Sequence, residues 1–139
     1  LGFVGASPMI INATLRENLV YSSDSKVLDK DIYEMIDHFK VFNEEEVSLD
    51  RKITNKSLSM GQMQKIAFIR ALLSGVNILI LDESTSNLDE SSKNIIFKVL
   101  KDLEITIINS THNKDDFKNR DLHIDLKVNN KGEREIVFN

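Results

Sequence analysis

Ile78-Leu79-Ile80-Leu81-Asp82-Glu83 sets an apolar run directly before two acids. It reads as the end of a strand over Val76–Leu81, apolar enough to be covered on both faces of a parallel sheet. Such a strand delivers Asp82 and Glu83 to its C-terminal end, the edge at which open α/β sheets bind ligands. Carboxylates left there without partners are costly, so a metal or a polar ligand is the expected company. Asp82 suits Mg²⁺ held through water, and Glu83 suits activation of a water for attack on a phosphate. A strand that merely ends in a polar turn would show the same residues, and this stretch alone leaves both readings open.

Upstream of it, Ser59 opens a helix that runs to about Leu73, with Ile66, Ile69, Arg70 and Leu73 spaced along it and Gly75 ending it. Leu58-Ser59-Met60-Gly61-Gln62 therefore sits at a helix N-terminus, where free N–H groups and the dipole favour an anion. By residue type alone, Ser59 reads first as an ordinary N-cap. Downstream, Asp89 to Leu103 repeats Ile95, Ile96, Val99, Leu100 and Leu103 at helical spacing. Ile105–Asn109 is a second apolar strand, and Thr111-His112 follows it. A lone His is most often a surface or packed residue, but His112 at a strand end could reach a terminal phosphate. His38 and His123 have no such context.

Farther out, Leu1–Val4 reads as the end of a buried strand closed by Gly5-Ala6-Ser7-Pro8. Thr14 and Glu17 form a capping-box pattern opening a short helix through Leu19. Tyr21–Ser25 is a polar loop, and Asp31 to about Lys40 is an amphipathic helix on Ile32, Met35, Ile36 and Phe39. Asn43–Lys56 is polar and loop-rich, with Glu44-Glu45-Glu46 a solvated face. Leu122–Val128 and Glu133–Phe138 read as two late strands joined by Asn129-Asn130-Lys131-Gly132. Strands alternating with helices predict an α/β parallel sheet. The span from about Asn12 to Leu73 shows no strand pattern and reads as a helical insert, about residues 12–73, with 1–8 and 74–139 making the core.

Composition narrows the function classes. The 139 residues suit one domain, and a net charge of −4 with a pI near 5.4 argues against a nucleic-acid protein held by a large basic surface. No apolar run approaches the ~18 residues of a membrane helix. With no Cys there is no disulfide framework, Fe–S ligation or Cys-based zinc site. The chain starts on Leu1 inside an apolar run, without a signal-peptide pattern, and is expected to be the interior of a longer protein.

Taken in order, Leu58-Ser59-Met60-Gly61-Gln62, then Leu81-Asp82-Glu83-Ser84-Thr85-Ser86-Asn87-Leu88-Asp89, then Ser110-Thr111-His112 resembles the nucleotide-binding domain of ATP-binding cassette (ABC) proteins. Ile66–Leu73 also looks like that family, and Thr14–Leu19 resembles the segment after its glutamine loop in the exporter branch. The resemblance implies a partial P-loop NTPase (RecA-like) parallel sheet core with the family's helical subdomain inserted. It implies that Ser59, Gly61 and Gln62 are the signature, contacting the γ-phosphate of ATP bound to the opposite subunit. Asp82 matches the Walker B aspartate on Mg²⁺, Glu83 the catalytic glutamate and His112 the switch histidine. Ser86–Asp89 matches the D-loop, which crosses the dimer interface, and Asp89 is counted with the nucleotide-contacting residues. The partners implied are a second nucleotide-binding domain, head to tail, and a transmembrane domain at whose cytoplasmic face the cassette would work; no nucleic acid is expected.

Several departures stand out. No G-x-x-x-x-G-K-[ST] occurs, and no Gly is followed by Lys, so the phosphate-cradling loop is expected before Leu1. The glutamine-loop position falls on Ala6, which can neither ligate Mg²⁺ nor orient water. Met60 stands where the signature usually has Gly, and Lys65 where Arg is common. The rival readings are a soluble, non-transport ABC ATPase and a degenerate regulatory cassette. The family architecture implies Leu1–Val4, Val76–Leu81 and Ile105–Asn109 as parallel neighbours, Val76–Leu81 in the middle. Beyond Ile105–Asn109 it leaves either an unpaired edge or a place that Leu122–Val128 shifts in to fill.

Overall fold

Leu79 and Leu81, both fully buried, lie at the centre of the computed structural model, which describes residues 1–21, 23, 26–43, 46–113, 122, 124–128 and 132–138. The elements run β1 (Gly2–Gly5), β2 (Ala13–Thr14), α1 (Leu15–Val20), α2 (Asp29–His38), β3 (Lys52–Ile53), α3 (Met60–Leu73), β4 (Ile78–Asp82), α4 (Glu90–Lys101), β5 (Thr106–Ser110), β6 (Ile124–Val128) and β7 (Arg134–Phe138). β1, β4 and β5 form a parallel sheet in the order β1-β4-β5, as expected, with Val4 opposite Leu81 and Leu79 opposite Ile107. β6 and β7 pair antiparallel in a sheet of their own. Leu122–Val128 therefore does not move in beside β5, whose outer edge has no strand partner among the described residues.

Three expectations need correction. The strand starts at Ile78 rather than Val76; the Asn77 carbonyl accepts from the Thr106 N–H at 2.9 Å and so opens the ladder to β5 at the Ile78–Thr106 pair. It is closed on one face only: Leu79 and Leu81 are fully buried, whereas Ile78 on the opposite face is exposed. The helical insert also holds a two-rung ladder, β2 with β3, pairing Ala13 with Ile53 and Thr14 with Lys52. Two residues per strand carry no alternation that a sequence could display.

Local chemistry explains the helices. At α1 both capping-box bonds are made: the Glu17 N–H donates to Thr14 Oγ1 at 3.1 Å, and the Thr14 N–H to Glu17 Oε2 at 2.7 Å. α2 begins two residues before the expected Asp31 and gains acidic Asp29 in its first turn, where the dipole favours it. α3 ends at Leu73 with Ser74 as its C-cap, and Gly75 takes φ +68°, the left-handed conformation that glycine reaches without a Cβ clash. Phe39 and Phe68, both fully buried, stack with centroids 6.3 Å apart between the insert's helices. Val4, Leu79 and Leu81 share one core cluster with Leu15, Ile32, Ile66 and Ile96, so the buried sheet face and residues from all four helices build a single core. Glu46 is exposed as expected; Glu44, Glu45, Asn129–Lys131, His123 and most of the 21–25 loop lie outside the described residues.

Candidate functional site

The C-terminal ends of three parallel strands meet around Asp82. Gly5 of β1 and Ser110 of β5 flank it in register. Its carboxylate lies on the open face of the sheet and is exposed. Glu83 follows at φ +52°, a left-handed conformation that is costly for a residue with a Cβ. Hydrogen bonds hold it there from both sides. Its N–H donates to the Ser110 carbonyl at 2.9 Å, and its own carbonyl accepts from the Ser86 N–H at 3.2 Å and the Ser86 hydroxyl at 2.8 Å. The turn aims the Glu83 carboxylate across the sheet end, where Oε1 lies 3.1 Å from His112 Nε2. The His112 side chain is 97% exposed and that of Glu83 30% exposed, so this pair faces solvent and not the core.

A second group gathers at the start of α3. Ser59 and Gln62 bond reciprocally: the Gln62 N–H donates to Ser59 Oγ at 3.2 Å, and the Ser59 N–H donates to Gln62 Oε1 at 2.9 Å. Met60 is exposed in the first helical position, pointing away from the fold. Gly61 needs no special space from its own chain: a Cβ there would meet Ser92 Oγ at 3.5 Å and Leu88 Cδ2 at 3.9 Å, ordinary contacts. Asp89 lies in the same neighbourhood as the N-cap of α4. Its Oδ1 accepts from the Ser92 N–H at 2.8 Å and its Oδ2 from the Ser92 hydroxyl at 3.1 Å. Those bonds, the backbone one first, hold its carboxyl below the usual aspartate value. Both Asp89 oxygens are thus engaged within the chain.

The predicted site residues therefore form two groups, Asp82 with Glu83 and His112, and Ser59, Gly61 and Gln62 with Asp89. The Ser84–Leu88 turn joins them along the chain. Among the described residues no group of three or more His, Asp or Glu could cage a metal unaided. One exposed carboxylate with free coordination space is nevertheless the donor set that Mg²⁺ uses when waters and phosphate oxygens complete its shell, so Asp82 fits that ion.

Sequence reasoning gave no structural role to three polar side chains on α3, of which Gln64 and Lys65 are buried and Arg70 half-buried. Gln64, 2% exposed, donates from Nε2 to the Gly5 carbonyl at 3.0 Å and ties α3 to the sheet end. Lys65, 8% exposed, donates to the Lys40 carbonyl at 3.0 Å. Burial depresses its affinity for a proton, with Asp89 opposing. Arg70 reaches back to Asn18 and Met9. Their signal was the interruption of an apolar helix by long polar residues, which the pattern does not separate from an exposed stripe.

The family description "ABC transporter" matches residues 2–86, which spans both strand ends at Gly5 and Asp82 and the start of α3. The chain belongs to the ABC transporter family. It is 35% identical over 104 residues to the alpha-factor-transporting ATPase of Saccharomyces cerevisiae, covering 73% of this chain and 8% of that protein. It is 32% identical over 108 residues to a multidrug resistance ABC transporter ATP-binding and permease protein of Lactococcus lactis, covering 74% and 18%. The fold matches a bacterial Atm1-family ABC exporter solved with ATP bound, at a TM-score of 0.75 and 21% identity, over 87% of this chain and 22% of that one. The chain thus spans less than a quarter of the length of these ABC relatives. No helix among the described residues is long and apolar enough to cross a membrane.

Proposed function

We propose that these residues supply the signature-to-switch portion of a nucleotide-binding domain in an exporter-type ABC transporter, which binds and hydrolyses ATP to drive transport. One observation carries the reading: Glu83, held in a left-handed turn at the end of β4, presents its carboxylate 3.1 Å from His112 and directly after Asp82. Glu83 takes the proton of the attacking water, and His112 orients the carboxylate and reaches the terminal phosphate. Asp82 holds Mg²⁺, which supplies charge neutralisation at the phosphates when bound. Ser59, the Gly61 N–H and Gln62 face ATP held by a second nucleotide-binding domain, with Asp89 setting the turn between the two groups. Glycine at Gly61 supports this: it weakens the first turn of α3 by up to ~1 kcal/mol without a steric need inside the chain, as expected where an outside group must approach the backbone.

In this reading the phosphate-cradling loop lies outside these residues, the domain pairs head to tail with a second copy of its kind, and a transmembrane domain holds it at the cytoplasmic face of a membrane. Ala6 and Met60 favour the second reading, a regulatory cassette with little activity. Glu83→Gln in the complete cassette decides between them. Hydrolysis is expected to fall ~10²-fold or more with ATP binding nearly intact, since the amide cannot accept the water's proton. Unchanged turnover removes Glu83 from the role, and an inactive parent cassette selects the regulatory reading. Titration calorimetry on the 139 residues alone is expected to show no tight Mg·ATP binding; micromolar affinity would overturn the placement of the cradling loop.

A further inference from the structure

Asn18 is a fully buried polar residue on the short helix α1. Its side chain is saturated. Oδ1 accepts from the Ile11 N–H at 2.9 Å, and Nδ2 donates to the carbonyls of Ile11 and Thr14, each at 3.0 Å. Arg70, ten positions along α3 from Met60, closes on the same residue. Its Nε donates to the Asn18 carbonyl at 2.6 Å, its Nη2 approaches Asn18 Oδ1 at 3.4 Å, and its Nη1 donates to the Met9 carbonyl at 2.9 Å. All of these acceptors are uncharged. The guanidinium therefore acts as a three-pronged clip on two backbone carbonyls and one side-chain amide oxygen, and it also supplies the C-terminal turn of α1 with the cation that turn lacks of its own.

A six-residue helix is too short to persist by itself, so what α1 rests on decides where the whole 9–20 segment sits. The network fixes that segment to α3 at one end. Gln64 fixes α3 to the Gly5 carbonyl nearer the other. α3 is a continuous fourteen-residue helix and moves as a rod. We propose that Asn18 and Arg70 are positioning residues that lock the segment after β1 to α3, so that displacing this segment moves the Ser59 end of α3 with it. The functional consequence rests on the reading of Ser59 as a nucleotide contact; the mechanical one does not. Ala6, ahead of that segment, has no polar side chain; fully buried Leu15 and Leu19 share the core with Ile66 and Ile69 of α3, and this network is the polar tie beside that packing.

The test measures the distance between spin labels at Met9→Cys and Met60→Cys, both exposed positions, in the complete cassette with any other cysteines replaced. The parent is expected to give one narrow distance distribution. Arg70→Lys keeps the charge but cannot span three acceptors. It should broaden the distribution and raise amide exchange at Ile11 roughly threefold to tenfold, the scale of one lost hydrogen bond. Asn18→Asp turns the two Nδ2 bonds repulsive while keeping the Oδ1 acceptor, and should broaden it as well. The double variant should be no broader than the worse single one, since both act on one network. An unchanged distribution in both variants, with only the melting temperature lowered, overturns the proposal and leaves the network a stabiliser. Ser59→Ala in parallel separates the two readings: undiminished hydrolysis there sinks the nucleotide role of Ser59 without touching the distance result.

Discussion

The two faces of the β1-β4-β5 sheet are built from similar residues and have different fates. On one face Val4, Leu79 and Leu81 are 0–2% exposed beneath the helices. On the other, Phe3 is 64%, Ile78 41% and Ile108 55% exposed. Both faces are apolar, so hydropathy does not distinguish them; cover does. The closed face is what positions the site, because the helices that start at Ser59 and Asp89 pack there. The open face is what the site borders, because Asp82 and Ser110 point to that side at the C-terminal end. A parallel sheet normally has both faces covered, and an apolar strand edge left free invites another chain.

The sharpest way to break this contrast is to remove volume from each face in turn. Leu81→Ala deletes a fully buried side chain and should cost about 2–5 kcal/mol of stability by denaturant unfolding. Ile108→Thr on the open face keeps a β-branched residue and should change stability by no more than about 0.5 kcal/mol. Equal losses at both positions would show that the open face is covered in solution.

How much of this was legible follows the same division. The parallel order with Val76–Leu81 in the middle, and the meeting of Asp82, Glu83 and His112 at one sheet end, came from strand spacing and from the ABC resemblance together. The caps at Thr14 and Ser59 were legible because an N-cap depends on two or three adjacent residues. What failed was whatever depends on distant chain. Nothing local in Ile78-Leu79-Ile80-Leu81 says which face is roofed. Nothing in Asn18 or Arg70 says that they meet, 52 positions apart. Gln62 and Asp89 were read toward a ligand, and the structure has each of them also closing a helix start, a role that Asp89-x-x-Ser92 advertises locally.

A second experiment sharpens the comparison through association instead of stability. The chain should self-associate through the open face and the β5 edge, which has no strand partner among the described residues, visible as sedimentation coefficients that rise with concentration. Phe3→Thr with Ile108→Thr should shift the population toward monomer at nearly unchanged melting temperature. A parent chain that sediments as a monodisperse monomer would contradict the unpaired edge.

The smallest expected effect is on the roof of the closed face, and acid is the lever. Glu17 and Asp89 are both exposed carboxylates at helix starts, and both sit below their ordinary values of 4.5 and 3.8. For Glu17 the main cause is the Thr14 backbone N–H, then the Thr14 hydroxyl; for Asp89 it is the Ser92 backbone N–H, then the Ser92 hydroxyl. A carboxyl with a depressed value when folded binds its proton more readily when unfolded. Its contribution is therefore complete above the unfolded value and is lost as pH falls through the folded one. The first turns of α1 and α4 should fray as pH drops from about 4.5 and 3.8 respectively and falls through the lower folded values. Amide exchange at Glu17 and Ser92 should rise in that window before any change at Leu79 or Leu81. Fraying is expected to start from helix ends because full exposure and a few bonds hold the caps, whereas burial holds the strands. Simultaneous loss at caps and strands would mean that the roof and the closed face melt as one unit and that the helix starts carry no separate acid sensitivity.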